Sequence, residues 1–313
     1  MNYYRLLDYN KRFILCLLYD YVLNYKVMDN LIKKTIFILT FFCVVLLNTG
    51  CVSTRLDKRE TVVYGMRNSH DLTYELMQPK NPNGIGIVFM VSGSWRSNPD
   101  DFKPVYAQSF LKRGYTLFAV SHLSQPDATI PQIYEDVIIA VQHIRTHANY
   151  YGVSPDRLGV SGASAGGHLA LMLATKGKEI TGNSNGLFRA VAVFFPVTDL
   201  LNLGKSSENA NDGGPPKRYR KVFGIDPDDL NEWKRVGYEL SPLYHVDENS
   251  PPVLIIHGDE DDLVPIEQSE RFLKEAINTG AKVKLIRKKG KGHGWPTIIW
   301  DMRTFAKWFD QKL

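Results

Sequence analysis

The run Leu158-Gly-Val-Ser-Gly-Ala-Ser-Ala-Gly-Gly-His-Leu169 constrains the fold of this 313-residue chain more than any other stretch. Arg157 to Ser161 is short, apolar and ends in small residues, as expected of a buried parallel strand. Gly167 to Ala174 continues as a helix-forming run. Ser164 then falls at the apex of a tight strand-to-helix turn, with Gly162 and Gly166 where a Cβ would crowd it. Such a turn projects a hydroxyl outward at a helix N-terminus, where free N–H groups and the helix dipole favour developing negative charge. A plain small-residue turn packing a helix onto a strand would account for the glycines alone. The rest of the chain decides between the two.

A serine hydroxyl is a poor nucleophile at neutral pH and needs a base that is itself oriented by a carboxylate. Val253 to Pro265 reads as an apolar strand that breaks into an acidic turn, with Asp261 just past the strand end. Asp259 and Asp262 flank it as alternatives, and Asp199, after the preceding strand, is another candidate acid. Lys282 to Ile286 reads as a further strand, followed by the glycine-rich loop Gly290-Lys-Gly-His-Gly-Trp295 that carries His293. The chain order Ser164, Asp261, His293 is the one expected when three groups stand on successive strand ends of one sheet. Charge developing on an attacked carbonyl would need donors: the Ala165 N–H, and one from Gly93 or Ser94 in the loop after Gly84–Val91. His168 is expected to pack along its helix, and His257 to brace the acidic turn. No His/Cys/Asp cluster has metal-ligand spacing, and the glycines around Ser164 lack the Lys-Ser/Thr of a phosphate loop. The expectation is no metal and no cofactor.

Together these residues resemble the α/β-hydrolase fold. They are most similar to its small esterases, the bacterial feruloyl and acetyl-xylan esterase-like proteins and relatives of dienelactone hydrolase and prolyl oligopeptidase. The resemblance covers about residues 60 to 313 and rests on Gly162-Ala-Ser-Ala-Gly-Gly167, His257-Gly-Asp-Glu-Asp261 with Val264 and Pro265, and Gly292-His-Gly294. It implies an α/β fold with a mostly parallel eight-stranded sheet and helices on both faces. It also implies Ser164 as nucleophile, Asp261 as orienting acid and His293 as base in cleavage of carboxylic esters through an acyl-enzyme. Acetyl or feruloyl esters of polysaccharides are the substrates it suggests. The chain departs from the family at Val91-Ser-Gly-Ser-Trp95, where relatives often carry His-Gly-Gly-Gly-Trp. Two other readings stand beside this one. A serine exopeptidase of the prolyl oligopeptidase type usually carries a large N-terminal propeller, for which there is no room here. A silent binding protein on the same fold would be favoured by loss of a triad residue, and all three are present.

The N-terminus carries the second signal. Lys33 and Lys34 precede Thr35–Leu47, a mostly apolar run too short for a comfortable membrane span, and then Asn48-Thr-Gly-Cys51. This resembles a bacterial lipoprotein signal in which Cys51 becomes the acylated first residue, which implies export and a membrane anchor. An uncleaved anchor helix is the competing view. Met28 begins a signal of ordinary length, so residues 1–27 read as an over-extended start. Cleavage would remove Cys16 and Cys43, leaving a domain that needs no disulfide at its size. The net charge is +5, of which residues 1–50 hold six Lys/Arg against three Asp/Glu. The remaining +2 or so and the absence of a basic stripe argue against a nucleic-acid partner.

Along the domain, residues 51–60 read as a polar tether and Thr61–Tyr64 with Leu72–Met77 as an opening hairpin. Strands and helices then alternate, the pattern of a parallel sheet covered on both faces. Helices are expected over Asp100–Arg113, around Ile133, Val137, Ile138, Val141 and Ile144, and after Pro296 with Ile299, Met302, Phe305 and Phe309 inward. Residues 200–248 break the alternation and read as a cap-like insertion over the site.

Overall fold

The computed structural model describes residues 56–182, 186–206, 221–226 and 228–313. The N-terminal run read as a lipoprotein signal, with Cys51, lies outside these residues. Among the described residues no helix is long and apolar enough to cross a membrane.

The chain opens with an antiparallel hairpin, β1 (Leu56–Arg67) and β2 (His70–Pro79). Six further strands follow: β3 (Gly86–Met90), β4 (Thr116–Val120), β5 (Leu158–Ala163), β6 (Ala190–Phe194), β7 (Val253–Gly258) and β8 (Val283–Lys288). The sheet order is β1-β2-β4-β3-β5-β6-β7-β8, with β2 antiparallel to β4 and every later pair parallel. Winding therefore reverses at β3, which pairs with β4 on one side and β5 on the other. Ligand crevices of open α/β sheets form at such a reversal, outside the carboxyl ends of the strands.

Both faces are covered. The long helix α2 (Ile130–Thr146) starts at a Thr129–Gln132 capping box and buries Ile133, Val137, Val141 and Ile144. It shares one apolar layer with Leu169 of α3 (Ala165–Thr175) and Phe272 of α6 (Glu267–Thr279). Against the other face lie Phe110 of α1 (Pro104–Leu111) and Phe305 and Phe309 of α7 (Ile298–Lys312). Strands β3, β4, β6 and β7 are buried throughout, which explains their unbroken apolar sequences. The short α4 (Gly177–Thr181) and α5 (Leu230–Glu239) complete the helices used below.

Three expectations need correction. Residues 56–60, read as part of a tether, are the first half of β1. Their charges suit an edge strand: Lys58 pairs with Glu60 at 2.8 Å and Arg59 with Glu75 at 3.0 Å, on a strand whose residues are mostly half-buried or exposed. The helix read over 100–113 is a short 3₁₀ turn, Pro99–Asp101, followed by α1, because Pro104 begins the helix anew. In α7, Ile298 rather than Ile299 joins the core beside Met302 and the two phenylalanines. The insertion supplies α5 and the turn Pro242–Tyr244, pinned by buried Trp233 against Phe223 at 4.7 Å.

Candidate active site

Ser164 follows β5 and caps α3 in a conformation few residues adopt, φ 55° and ψ −122°. Its N–H donates to the Phe194 carbonyl at 3.0 Å, and the Gly166 N–H donates to the Ser92 carbonyl at 3.0 Å. The two glycines are required by contact. A Cβ on Gly162 would lie 2.3 Å from the Gly166 carbonyl oxygen, and one on Gly166 would lie 2.3 Å from that of Met90. Main chain meets main chain on both sides of the serine. The turn is thereby locked.

The acid and base arrive from β7 and β8. The acid loop and the histidine loop are joined by the Glu260 N–H to the Lys291 carbonyl at 2.9 Å, and by Asp259 accepting from the Gly290 N–H at 2.6 Å. His293 Nδ1 then lies 2.8 Å from Asp261 Oδ2, and its Nε2 lies 3.0 Å from Ser164 Oγ. A carboxylate only accepts, so Nδ1 carries the proton and Nε2 accepts from the serine hydroxyl. The three residues separated in the chain meet as a serine–histidine–aspartate array. Of the alternative acids, Asp259 holds the histidine loop, and Asp262 is exposed. Asp199 accepts the Leu201 and Asn202 N–H groups and pairs with Arg271 at 3.1 Å.

Burial would raise the Asp261 carboxyl, but hydrogen bonds from His257, His293 and the Val264 N–H outweigh it and hold the group at about 2. Asp261 is therefore ionised at any pH where the fold operates. His257 is fully buried and braces this turn as expected. Its Nε2–H donates to the Val264 carbonyl at 2.7 Å and lies 3.4 Å from Asp261 Oδ2, while Nδ1 accepts from Ser269 Oγ at 2.7 Å.

The donor side differs from expectation at one residue. The Gly93 N–H donates to the Arg96 carbonyl at 2.9 Å, and Arg96 N–H returns the bond, so Gly93 is engaged in a small bridge and does not serve as an oxyanion donor. Ala165 is the first residue of α3, so its N–H has no intrahelical acceptor. Ser94 and Ala165 line one pocket together with Ser164.

Two histidines that sequence reasoning had not assigned to this loop hold it. His168 Nε2–H donates to the Leu240 carbonyl at 2.7 Å, and its Nδ1 accepts from Trp95 Nε1–H at 3.2 Å. His122 Nδ1–H donates to the Leu123 carbonyl at 2.9 Å, and its Nε2 accepts from Ser92 Oγ at 2.9 Å. Burial pushes both imidazoles down to about 4, which keeps them neutral and able to accept. An imidazole from the end of β4 thus binds Ser92 of this loop. In the sequence the signal was only a histidine just past an apolar run, with nothing to link it to Ser92.

With the geometry in place, comparison with known proteins gives the kinship. The BD-FAE family model matches residues 75–276, well over half of the chain. The chain belongs to the BD-FAE family. A probable isoprenylcysteine α-carbonyl methylesterase of Arabidopsis thaliana is 24% identical over 75% of this chain and 50% of its own length. Esterase LipC of Mycobacterium tuberculosis is 24% identical over 78% of this chain and 61% of its own. The chain thus spans roughly half to three-fifths of the length of these relatives. A solved carbohydrate esterase from gut microbiota superposes with a TM-score of 0.69 at 25% identity, covering 83% of this chain and 97% of that one. The BD-FAE domain seen here has the α/β-hydrolase fold of that solved carbohydrate esterase.

Proposed function

We propose that the protein is a serine esterase that cleaves carboxylic esters through an acyl-enzyme on Ser164. The observation that carries this reading is His293 within hydrogen-bond distance of both Ser164 Oγ and Asp261. As the hydroxyl attacks the ester carbonyl, His293 Nε2 takes its proton, and ionised Asp261 holds the tautomer and stabilises the imidazolium. The oxyanion is received by the Ala165 N–H and by Ser94, at the positive end of α3. The imidazolium then protonates the leaving alcohol. Water activated by His293 releases the acid and restores the serine. Acetyl or feruloyl esters of polysaccharide are the proposed substrates, a reading supported by the carbohydrate esterase among the solved neighbours.

The test is labelling by a fluorophosphonate probe together with turnover of p-nitrophenyl acetate. Both are expected for the wild type, with kcat falling about 10⁵–10⁶-fold and labelling lost in Ser164→Ala. A wild type that neither labels nor turns over the ester would overturn the reading. The N-terminal pattern supports a second proposal, export and lipid attachment through Cys51. Incorporation of radiolabelled palmitate, abolished in Cys51→Ala, tests it.

A further inference from the structure

The base of the array stands on a stretch of chain that does little to orient it. His293 is half-buried and lies between Gly292 and Gly294, which close on one another in an isolated bridge, and Gly294 has φ 90°. The imidazole donates from Nδ1 to Asp261 and accepts at Nε2 from Ser164. Two bonds on either side of a ring set an axis but leave the ring free to turn about it. A contact against the ring itself is what stops that turn.

Phe195, just past β6, supplies that contact. Its buried ring has its centroid 4.5 Å from that of His293, with the two planes inclined at 52°. The same ring lies 5.9 Å from Trp295, two residues beyond the base, and 6.2 Å from His257, which braces Asp261. These are the spacings of packed aromatic pairs. The main chain here reaches the other two members of the array. The Phe194 carbonyl accepts the Ser164 N–H at 3.0 Å, and the Phe195 N–H donates to the Ile256 carbonyl of β7 at 3.0 Å, on the strand that delivers Asp261.

Ordinary core packing would account for a buried phenylalanine after a strand, but not for its backbone. Phe195 has φ 32°, in the left-handed region that bulky side chains seldom enter. Strain of this kind persists where surrounding contacts over-determine it, and it gathers at working sites. Its distribution here is telling. Among the described residues, the non-glycine positions with positive φ are Asn68 and Ser69 in the opening hairpin turn, and then Ser94, Trp95, Ser164 and Phe195. Three of those last four line the pocket beside the serine, and the fourth packs on the base.

We propose that Phe195 is a positioning residue for His293, holding the imidazole at the one rotation that serves both of its proton transfers. The proton leaving Ser164 Oγ resides on Nε2 and passes to the leaving oxygen as the ester C–O bond breaks. A ring free to turn loses most on the second transfer when the leaving oxygen is strongly basic, because a weakly basic one departs without a proton. This role rests on the proposed ester hydrolysis and names what keeps its base aligned.

The experiment measures kcat/KM, which reports acylation, for p-nitrophenyl, phenyl and p-methoxyphenyl acetate with the full-length protein. The three share one acyl group and differ in how far the leaving phenolate needs a proton. In Phe195→Leu the ratio of p-nitrophenyl to p-methoxyphenyl acetate is expected to widen about fivefold or more over the wild type, and Phe195→Tyr to bring it back within about twofold. A misfolded fraction lowers all three esters alike and leaves the ratio untouched, so a merely structural role would not move it. If Phe195→Leu does not fold, Phe195→Met, whose flexible side chain fills irregular gaps, is read in the same way. A ratio in the Leu or Met variant within about twofold of the wild type overturns the role, as does a Tyr variant as impaired as the Leu one. No turnover of any of the three esters by the wild type would instead strike the esterase reading on which the role rests.

Discussion

The turn that carries Ser164 and the wall of the pocket beside it are neighbours built on opposite principles. Around the serine, carbonyl oxygens of Met90 and Gly166 occupy the space a methyl group would need. Nothing there can relax without moving a strand. The wall between Thr198 and Ser206 has no such constraint. It is held chiefly by one buried amide, Gln268, and by the ion pair of Asp199 with Arg271. Main-chain packing fixes the serine turn, whereas replaceable side chains hold the wall beside it. A family can keep one chemistry and change substrates through such a division.

The sharpest way to break this contrast is at the acid. Asp261→Asn keeps the shape of the site but removes the charge and the tautomer control, and kcat should fall about 10⁴-fold with acyl preference unchanged. Steady-state kinetics on two esters checks both parts. Next comes Gly162→Ala, which forces main chain apart. Overpacking of this kind costs about 3 kcal/mol, and thermal unfolding should show it alongside the loss of turnover. The wall should respond differently. Gln268→Leu leaves the Thr198 and Asp199 N–H groups unpaired, and a loss of about 2 kcal/mol is expected. Its mark in kinetics should be a raised KM, with kcat within about tenfold of the wild type. If kcat collapses as for Asp261→Asn, the contrast between the two regions fails.

The smallest effect is on pH. His122 and His168 titrate near 6.5 when unfolded but near 4 in the fold, so the unfolded chain binds more protons between these values. Stability should decline as pH drops from about 6.5 to 4. Asp261, held at about 2 against an ordinary 3.8, adds stability that is present above 3.8 and lost as pH falls towards 2. Denaturant titrations across this range should show both declines, the first flattened in His122→Gln.

Much of this was legible in the residues. The alternation of strands and helices, the glycines about Ser164 and the order of Ser164, Asp261 and His293 each reflect a local requirement that sequence records directly. The tether was misread because charge looks alike on a loose segment and on an edge strand. What separates them is the partner, and Glu75 lies 16 residues from Arg59. Gly93 was misassigned as a donor because a bridge to Arg96 depends on loop geometry rather than residue type. The support from His122 crosses from one strand end to another, so neither segment announces it alone.

His168 joins parts that the chain keeps far apart. From α3, its ring holds Trp95 in the loop before the site and Leu240 at the end of α5. A single proton added to that ring would release the tryptophan while leaving the α5 bond in place. Any displacement of α5 would instead be felt at Trp95 through the same imidazole. Insertions that diverge within such a scaffold must therefore either preserve this one carbonyl's position or supply another acceptor, which limits how far the cap can drift.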